Sequence, residues 1–169
     1  FQNNLYLYLL LVFHLFSYKY MRMQDKEEIV VNNEKEMAAL AARFGETLKT
    51  GDIVALNGDL GAGKTSFARA LIRNQLGQET EVPSPTFTLV QTYDFPLCPL
   101  YHYDLYRLDD PEEIWALGFE EACMSGICLI EWPEKAGENL PENHIDITIH
   151  KMDKETQRRI VITRPKKDD

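Results

Sequence analysis

Ile53-Val54-Ala55-Leu56-Asn57 runs directly into Gly58-Asp59-Leu60-Gly61-Ala62-Gly63-Lys64-Thr65, and a helix-like segment from Ser66 to Leu76 follows before Gly77. A short apolar run bounded by glycines predicts a strand buried on both faces of a sheet. The octet Gly58 to Thr65 fits G-x-x-x-x-G-K-[ST], the Walker A pattern, in its required setting between strand and helix. The glycines let the backbone fold into a nest of inward-pointing N–H groups, and the helix behind it adds its positive N-terminal end. On this reading Asp59, Leu60, Gly61, Ala62, Gly63, Lys64, Thr65 and Ser66 cradle the phosphates of ATP. Lys64 bridges the β- and γ-phosphates, and the Thr65 hydroxyl takes Mg2+. A glycine-rich turn with a solvated lysine is the plain alternative.

Outward from this loop the chain alternates strands and helices, an α/β pattern. Upstream, Glu28 to Val31 predicts a strand, and Asn33 with Glu36 three residues on predicts a capping-box start to a helix. Met37, Leu40, Ala41, Phe44 and Leu48 recur on one helical face, with Gly51 as the expected end. Downstream, Phe87 to Tyr93 and Leu100 to Tyr106 predict two strands able to pair as a hairpin. Asp109 or Asp110, followed by Pro111, Glu112 and Glu113, starts a helix expected to reach about Cys123. Ile127 to Glu131 predicts a further buried strand ending in an acid, and His144 to His150 and Arg158 to Thr163 two late strands.

The length, 169 residues, suits one domain, and 44% hydrophobic with 27% charged residues suits a soluble globular protein. Residues 23–165 are the expected domain, with 166–169 a polar tail. Residues 1–22 form an apolar extension expected to lie outside the native domain. They have no basic flank or cleavage site, and the run Leu5 to Phe16 is shorter than a membrane span needs. Met21 or Met23 is therefore the expected start, and a membrane anchor is the alternative. Lys and Arg number 18 against 27 Asp and Glu, a balance that disfavours direct binding to a nucleic-acid backbone. Cys98, Cys123 and Cys128 lack C-x-x-C or zinc-finger spacing and read as reduced thiols, so a cytoplasmic location is expected.

A P-loop needs a second magnesium ligand, commonly an acid at the end of a neighbouring apolar strand. Glu131 has that position, although a solvated acid at a strand end fits the pattern equally. Asp104 is a candidate for holding a magnesium-bound water or orienting the attacking water, and pairing with Arg107 is its plainer reading. Thr86, in Ser84-Pro85-Thr86, is placed like a γ-phosphate sensor or in an ordinary proline turn. Trp132 reads as a core aromatic or a stacking platform, and His102, His144 and His150 as makers of ordinary hydrogen bonds.

GDLGAGKTSFARAL, SPTFTLVQTYDF, LYHYDLYRLDDPEEIWALGF and ICLIEWPEK, in this order and spacing, resemble the TsaE (YjeE) family over about Glu27 to Thr163. The H-x-D-L-Y-R-L and I-E-W blocks are far more specific than the Walker pattern. The resemblance implies a P-loop three-layer sandwich with a mixed parallel/antiparallel sheet. It also implies a weak ATPase of tRNA threonylcarbamoyladenosine biosynthesis that works with the TsaD and TsaB proteins and meets tRNA only through that complex. By motif, it makes Lys64 the phosphate lysine, Thr65 and Glu131 the magnesium ligands, Asp104 and Thr86 functional, and Trp132 part of the nucleotide site. Ser66 stands where the family often has Thr, and Phe1 to Tyr20 has no family counterpart.

Two other functions remain open on sequence. A small-molecule kinase would need several arginines at the phosphoryl group, and between Thr65 and Glu131 only Arg69, Arg73 and Arg107 occur. A nucleotide-gated binding module would use ATP to set a partner surface without useful catalysis. GTPase switching is disfavoured by the lack of an N-K-x-D segment.

Overall fold

The structure is a computed structural model that describes residues 24–165; the expectations for 1–22 and 166–169 lie outside the described residues. Seven strands form one sheet: β1 (Gln24–Val31), β2 (Ile53–Asn57), β3 (Val90–Asp94), β4 (Pro99–Asp104), β5 (Ile127–Glu131), β6 (Ile145–Lys151) and β7 (Arg158–Pro165). Their spatial order is β1-β7-β6-β2-β5-β4-β3. The centre is parallel, β6, β2, β5 and β4, and both margins are antiparallel. This is the mixed sheet of a three-layer α/β sandwich. Among the described residues no helix is long and apolar enough to cross a membrane.

The alternation of side chains along each strand supplies both layers. Val54, Leu56, Leu100, Leu129 and Ile147 meet Phe67, Leu71 and Ile72 on one face. Helices α1 (Glu34–Gly45) and α2 (Lys64–Leu76) cover that face. Ile53, Tyr103, Cys128 and Ile130 turn to the other, under a 3₁₀ helix (Pro111–Leu117), helix α3 (Phe119–Ser125) and a second 3₁₀ segment (Pro133–Asn139). Each buried large apolar side chain contributes about 1.5–3 kcal/mol relative to exposure. Helices α1 and α2 pack tightly at Gly45, where a Cβ would lie 2.8 Å from Leu71 Cγ.

Several boundaries differ from the sequence expectation, each for a local reason. Helix α1 stops at Gly45 rather than at Gly51, because Thr47 brings both its N–H (3.0 Å) and its hydroxyl (2.8 Å) to the Phe44 carbonyl. Leu48 is buried all the same, beyond the helix. Strand β3 starts at Val90, three residues after Phe87. Thr86 to Thr88 form a turn in which Leu89 N–H donates to the Pro85 carbonyl, and Leu89 has φ 64°. The helix expected from Asp110 to Cys123 is two pieces, since Gly118 (φ 71°) breaks it into the 3₁₀ helix and α3. Asp110 caps the first piece as expected, accepting from Glu112 N–H at 3.0 Å. Helix α2 begins at Lys64, two residues before Ser66.

Candidate nucleotide site

The four central strands run parallel, so their carboxyl ends share one edge of the sheet, where α/β sheets bind ligands. Strand β2 ends at Asn57 and opens into the glycine loop. Strands β4 and β5 end on Asp104 and Glu131, which stand side by side in register. The loop is pinned at its start: Gly58 has φ 141°, and a Cβ there would meet the Ile149 carbonyl oxygen at 2.5 Å, so only glycine fits. Asn57 donates through Nδ2 to Asp146 Oδ1 at 3.0 Å, tying the same point to β6. Beyond it, Arg158 Nε donates to the Ala62 carbonyl and Lys151 Nζ to the Leu60 carbonyl.

Helix α2 then starts bare. Its N-cap is Gly63, without a side-chain cap, and its first turn holds no acid. The first intrahelical bond is Phe67 N–H to the Gly63 carbonyl, at 2.9 Å, which leaves the Lys64, Thr65 and Ser66 amides as the open donors of the first turn. These donors and the helix dipole face a cleft of ≈ 340 Å³. The cleft is lined by Leu60, Gly61, Gly63, Lys64, Thr65, Ser66, Ser84, Thr86, Asp104, Tyr106, Glu131 and Trp132. Asp59 and Ala62, expected among the phosphate-binding residues, do not line it. The Ala62 side chain is buried in the core, and its N–H is taken by the Asp59 carbonyl at 3.0 Å.

Thr65 and Glu131 come together: the Thr65 hydroxyl donates to Glu131 Oε2 at 2.9 Å. Two hard oxygens on adjacent elements suit Mg2+, which binds few protein ligands and keeps waters and phosphate oxygens for the rest. Among the described residues no group of three His, Cys, Asp or Glu could hold a metal by itself.

Lys64 is nearly buried. Its ammonium donates to the Gly58 (2.5 Å) and Asp59 (3.2 Å) carbonyls and lies 3.7 Å from the centre of the Trp132 ring. Burial pulls its pKa down, and Glu131, Glu134, Asp104 and Asp59 oppose that pull. Trp132 is therefore not a core aromatic but half-buried at the site, with φ 58° and its ring centre 4.9 Å from that of Tyr106. A left-handed backbone at a bulky residue costs about 1–3 kcal/mol and is found mostly at functional sites. Here it turns the indole back over Lys64.

Asp104 does not pair with Arg107, whose guanidinium stacks on Phe87 at 4.3 Å. Its Oδ2 accepts from the Thr86 (2.6 Å) and Ser84 (3.0 Å) hydroxyls, and its Oδ1 from Tyr106 N–H at 3.1 Å. The Ser84-Pro85-Thr86 segment is thus latched to β4 and forms one wall of the cleft. Ser84 and Tyr106 were not expected at the site, although both lie in the sequence blocks that carry the family resemblance. His102, expected to make an ordinary hydrogen bond, is fully buried against Glu131, with Nε2 2.9 Å from Oε1.

The profile of the threonylcarbamoyl adenosine biosynthesis protein TsaE matches residues 31–160. The tRNA threonylcarbamoyladenosine biosynthesis protein TsaE of Rickettsia felis is 46% identical over 135 residues, 80% of this chain and 79% of its own length. The protein of that name from Bacillus subtilis is 41% identical over 118 residues, 69% and 73% of the two chains. A crystal structure of Bacillus subtilis YdiB superposes with a TM-score of 0.69 at 31% identity, covering 85% of this chain and 88% of that one. With a matched profile spanning most of its length and a phosphate-type loop facing two acids, the chain belongs to the TsaE family, whose role is in tRNA threonylcarbamoyladenosine biosynthesis.

Proposed function

We propose that this chain is the ATP-binding and ATP-hydrolysing subunit of the threonylcarbamoyladenosine machinery, a cytoplasmic protein acting with TsaD and TsaB and meeting tRNA only through them. One observation carries the reading: the bare start of α2, with Lys64 and Thr65, faces Glu131 and Asp104 across a single cleft. The open amides of α2 and the loop hold the phosphates, and Lys64 leaves its loop carbonyls to bridge the β- and γ-groups. Thr65 and Glu131 would hold Mg2+, which when bound would offset the negative charge of the phosphate oxygens. Asp104 orients the attacking water once Thr86 turns toward the γ-phosphate, and Trp132 closes the site beside Lys64.

Among the described residues no arginine lines the cleft. Arg69 and Arg73 are held through Nε by the Val82 and Thr80 carbonyls, both at 3.0 Å. Without an arginine at the transferring phosphoryl group, transition-state charge is poorly met, which supports slow turnover raised by a partner and speaks against a small-molecule kinase. The test is single-turnover ATP hydrolysis with Mg2+, with and without TsaD and TsaB. Acceleration by the partners, abolished by Lys64→Ala, is expected. Retained hydrolysis in Lys64→Ala sinks the mechanism.

A nucleotide-gated module is the second reading, favoured by the latch of Ser84 and Thr86 on Asp104, which occupies the carboxylate with the chain's own hydroxyls. It predicts nucleotide binding with no acceleration by the partners.

A further inference from the structure

Glu131 gives one carboxylate oxygen to Thr65 and the other to a side chain with no direct access to the cleft. His102 sits on β4, level with Leu129 of β5 and two residues before Asp104. It is fully buried, its Nε2 is 2.9 Å from Glu131 Oε1, and its Nδ1 is buried without a hydrogen-bond partner among the described residues. The tautomer follows from the contact: Nε2 carries the hydrogen, since a lone pair there would face the carboxylate's own lone pairs. Nδ1 is then an acceptor without a protein partner among the described residues, a position where an apolar side chain of similar size would leave no polar atom to satisfy. The contact that its ring makes with a side chain among the described residues is with one acid, Glu131.

We propose that His102 is a positioning residue that clamps Glu131 for metal binding, an inference that rests on the nucleotide reading above. A glutamate has three side-chain torsions, and a single contact to Thr65 does not fix its carboxylate plane. The second contact does, with Oε1 held from β4 and Oε2 left facing the Thr65 hydroxyl. It also keeps the acid from the Lys64 ammonium. Of the acids acting on the Lys64 ammonium, Glu131 acts most strongly. A freed carboxylate swings toward that ammonium and withdraws an acid from the metal and a cation from the phosphates at once. Outer partners that orient a metal ligand typically govern about 10–100-fold in metal affinity.

The test titrates Mg2+ against ATP binding, read by calorimetry, in the full chain and its variants, alongside ATP binding in EDTA and thermal unfolding. His102→Leu removes the donor and fills the space. It is expected to raise the half-saturating Mg2+ concentration about 10–100-fold while ATP binding in EDTA changes by less than about threefold. His102→Gln carries an amide N–H to the place of Nε2 and is expected to return the Mg2+ requirement to within about threefold of wild type. Should the leucine variant not fold, His102→Asn, whose shorter amide stops short of Glu131, is expected to show the same rise. An unshifted Mg2+ requirement in the leucine or asparagine variant, or an equal shift in the glutamine variant, overturns the clamp. If the wild-type chain binds no ATP at all, the nucleotide reading falls and the clamp with it. Wild-type binding with unshifted variants removes the clamp alone.

Discussion

Helices α1 and α2 lie side by side on the same face of the sheet and begin in opposite ways. At α1, Asn33 accepts the Glu36 N–H at 3.0 Å, and Glu36 reaches back to Asn32 N–H at 2.8 Å. Glu34 and Glu36 put negative charge on its first turn. At α2 there is a glycine cap, no side-chain acceptor and no acid. The first helix has a side-chain cap on one of its own donors and acids against its dipole. The second leaves both unmet beside a cleft, and the difference lies in the residues of one turn.

Removing the cation that stands at the open end is the severest way to break this contrast. Lys64→Ala is expected to lower ATP turnover by at least about a hundredfold, measured under single-turnover conditions. Giving α2 the character of α1 is the next. Ser66 is exposed in the first turn, so Ser66→Glu is expected to stabilise the nucleotide-free fold by about 0.3–1 kcal/mol. The same change is expected to weaken ATP binding about tenfold or more through like-charge repulsion. Thermal unfolding and calorimetry read the two signs separately, and a stabilised variant that binds ATP as well as wild type refutes an anion site at this end.

The converse change sharpens the contrast from the other side. Asn33→Ala removes the cap of α1 and is expected to cost about 1 kcal/mol of stability with ATP affinity unmoved. The smallest effect belongs to the anchor of the loop, where Asn57 meets Asp146 and His144 lies 3.3 Å from Asp146. The hydrogen bond to Asp146 raises the His144 pKa above 6.5, with burial opposing. Burial pushes the Asp146 carboxyl up, but the bonds from His144 and Asn57 and the histidine charge more than reverse it, to below 3.8. The raised histidine contributes stability fully below pH 6.5 and loses it as pH rises through its folded value. The depressed aspartate contributes above pH 3.8 and loses it as pH falls through its folded value. The pair is partly exposed, so His144→Gln is expected to remove no more than about 0.5 kcal/mol, between these limits, in unfolding measured against pH.

What could be read from the chain alone follows the range of the interactions involved. Strands β2 and β5 lie where their apolar runs predict, because a strand buried on both faces is written in consecutive residues. The cap of α1 and the turn before α2 are equally local. The residues Phe87 to Leu89 have strand-forming side chains, yet the chain turns there so that Thr86 reaches Asp104, 18 positions away. Tertiary contact overrides β-propensity at that point. His102 and Glu131 are 29 residues apart, on neighbouring strands. No spacing within either strand reports that one would grip the other. Pattern alone favours the core for Trp132, because its place at the site depends on a left-handed backbone, which hydrophobic periodicity does not record.

The tight crossing of α1 and α2 at Gly45 has a mechanical consequence. Leu71, against which that glycine rests, lies seven residues along α2 from Lys64, roughly 10 Å at 1.5 Å per residue. A methyl group at position 45 would act as a shim beneath a stiff lever, tilting the far tip out of its seat. Gly45→Ala is a change remote from any bound molecule, and its mark would be a displaced phosphate loop in a nucleotide-bound crystal structure.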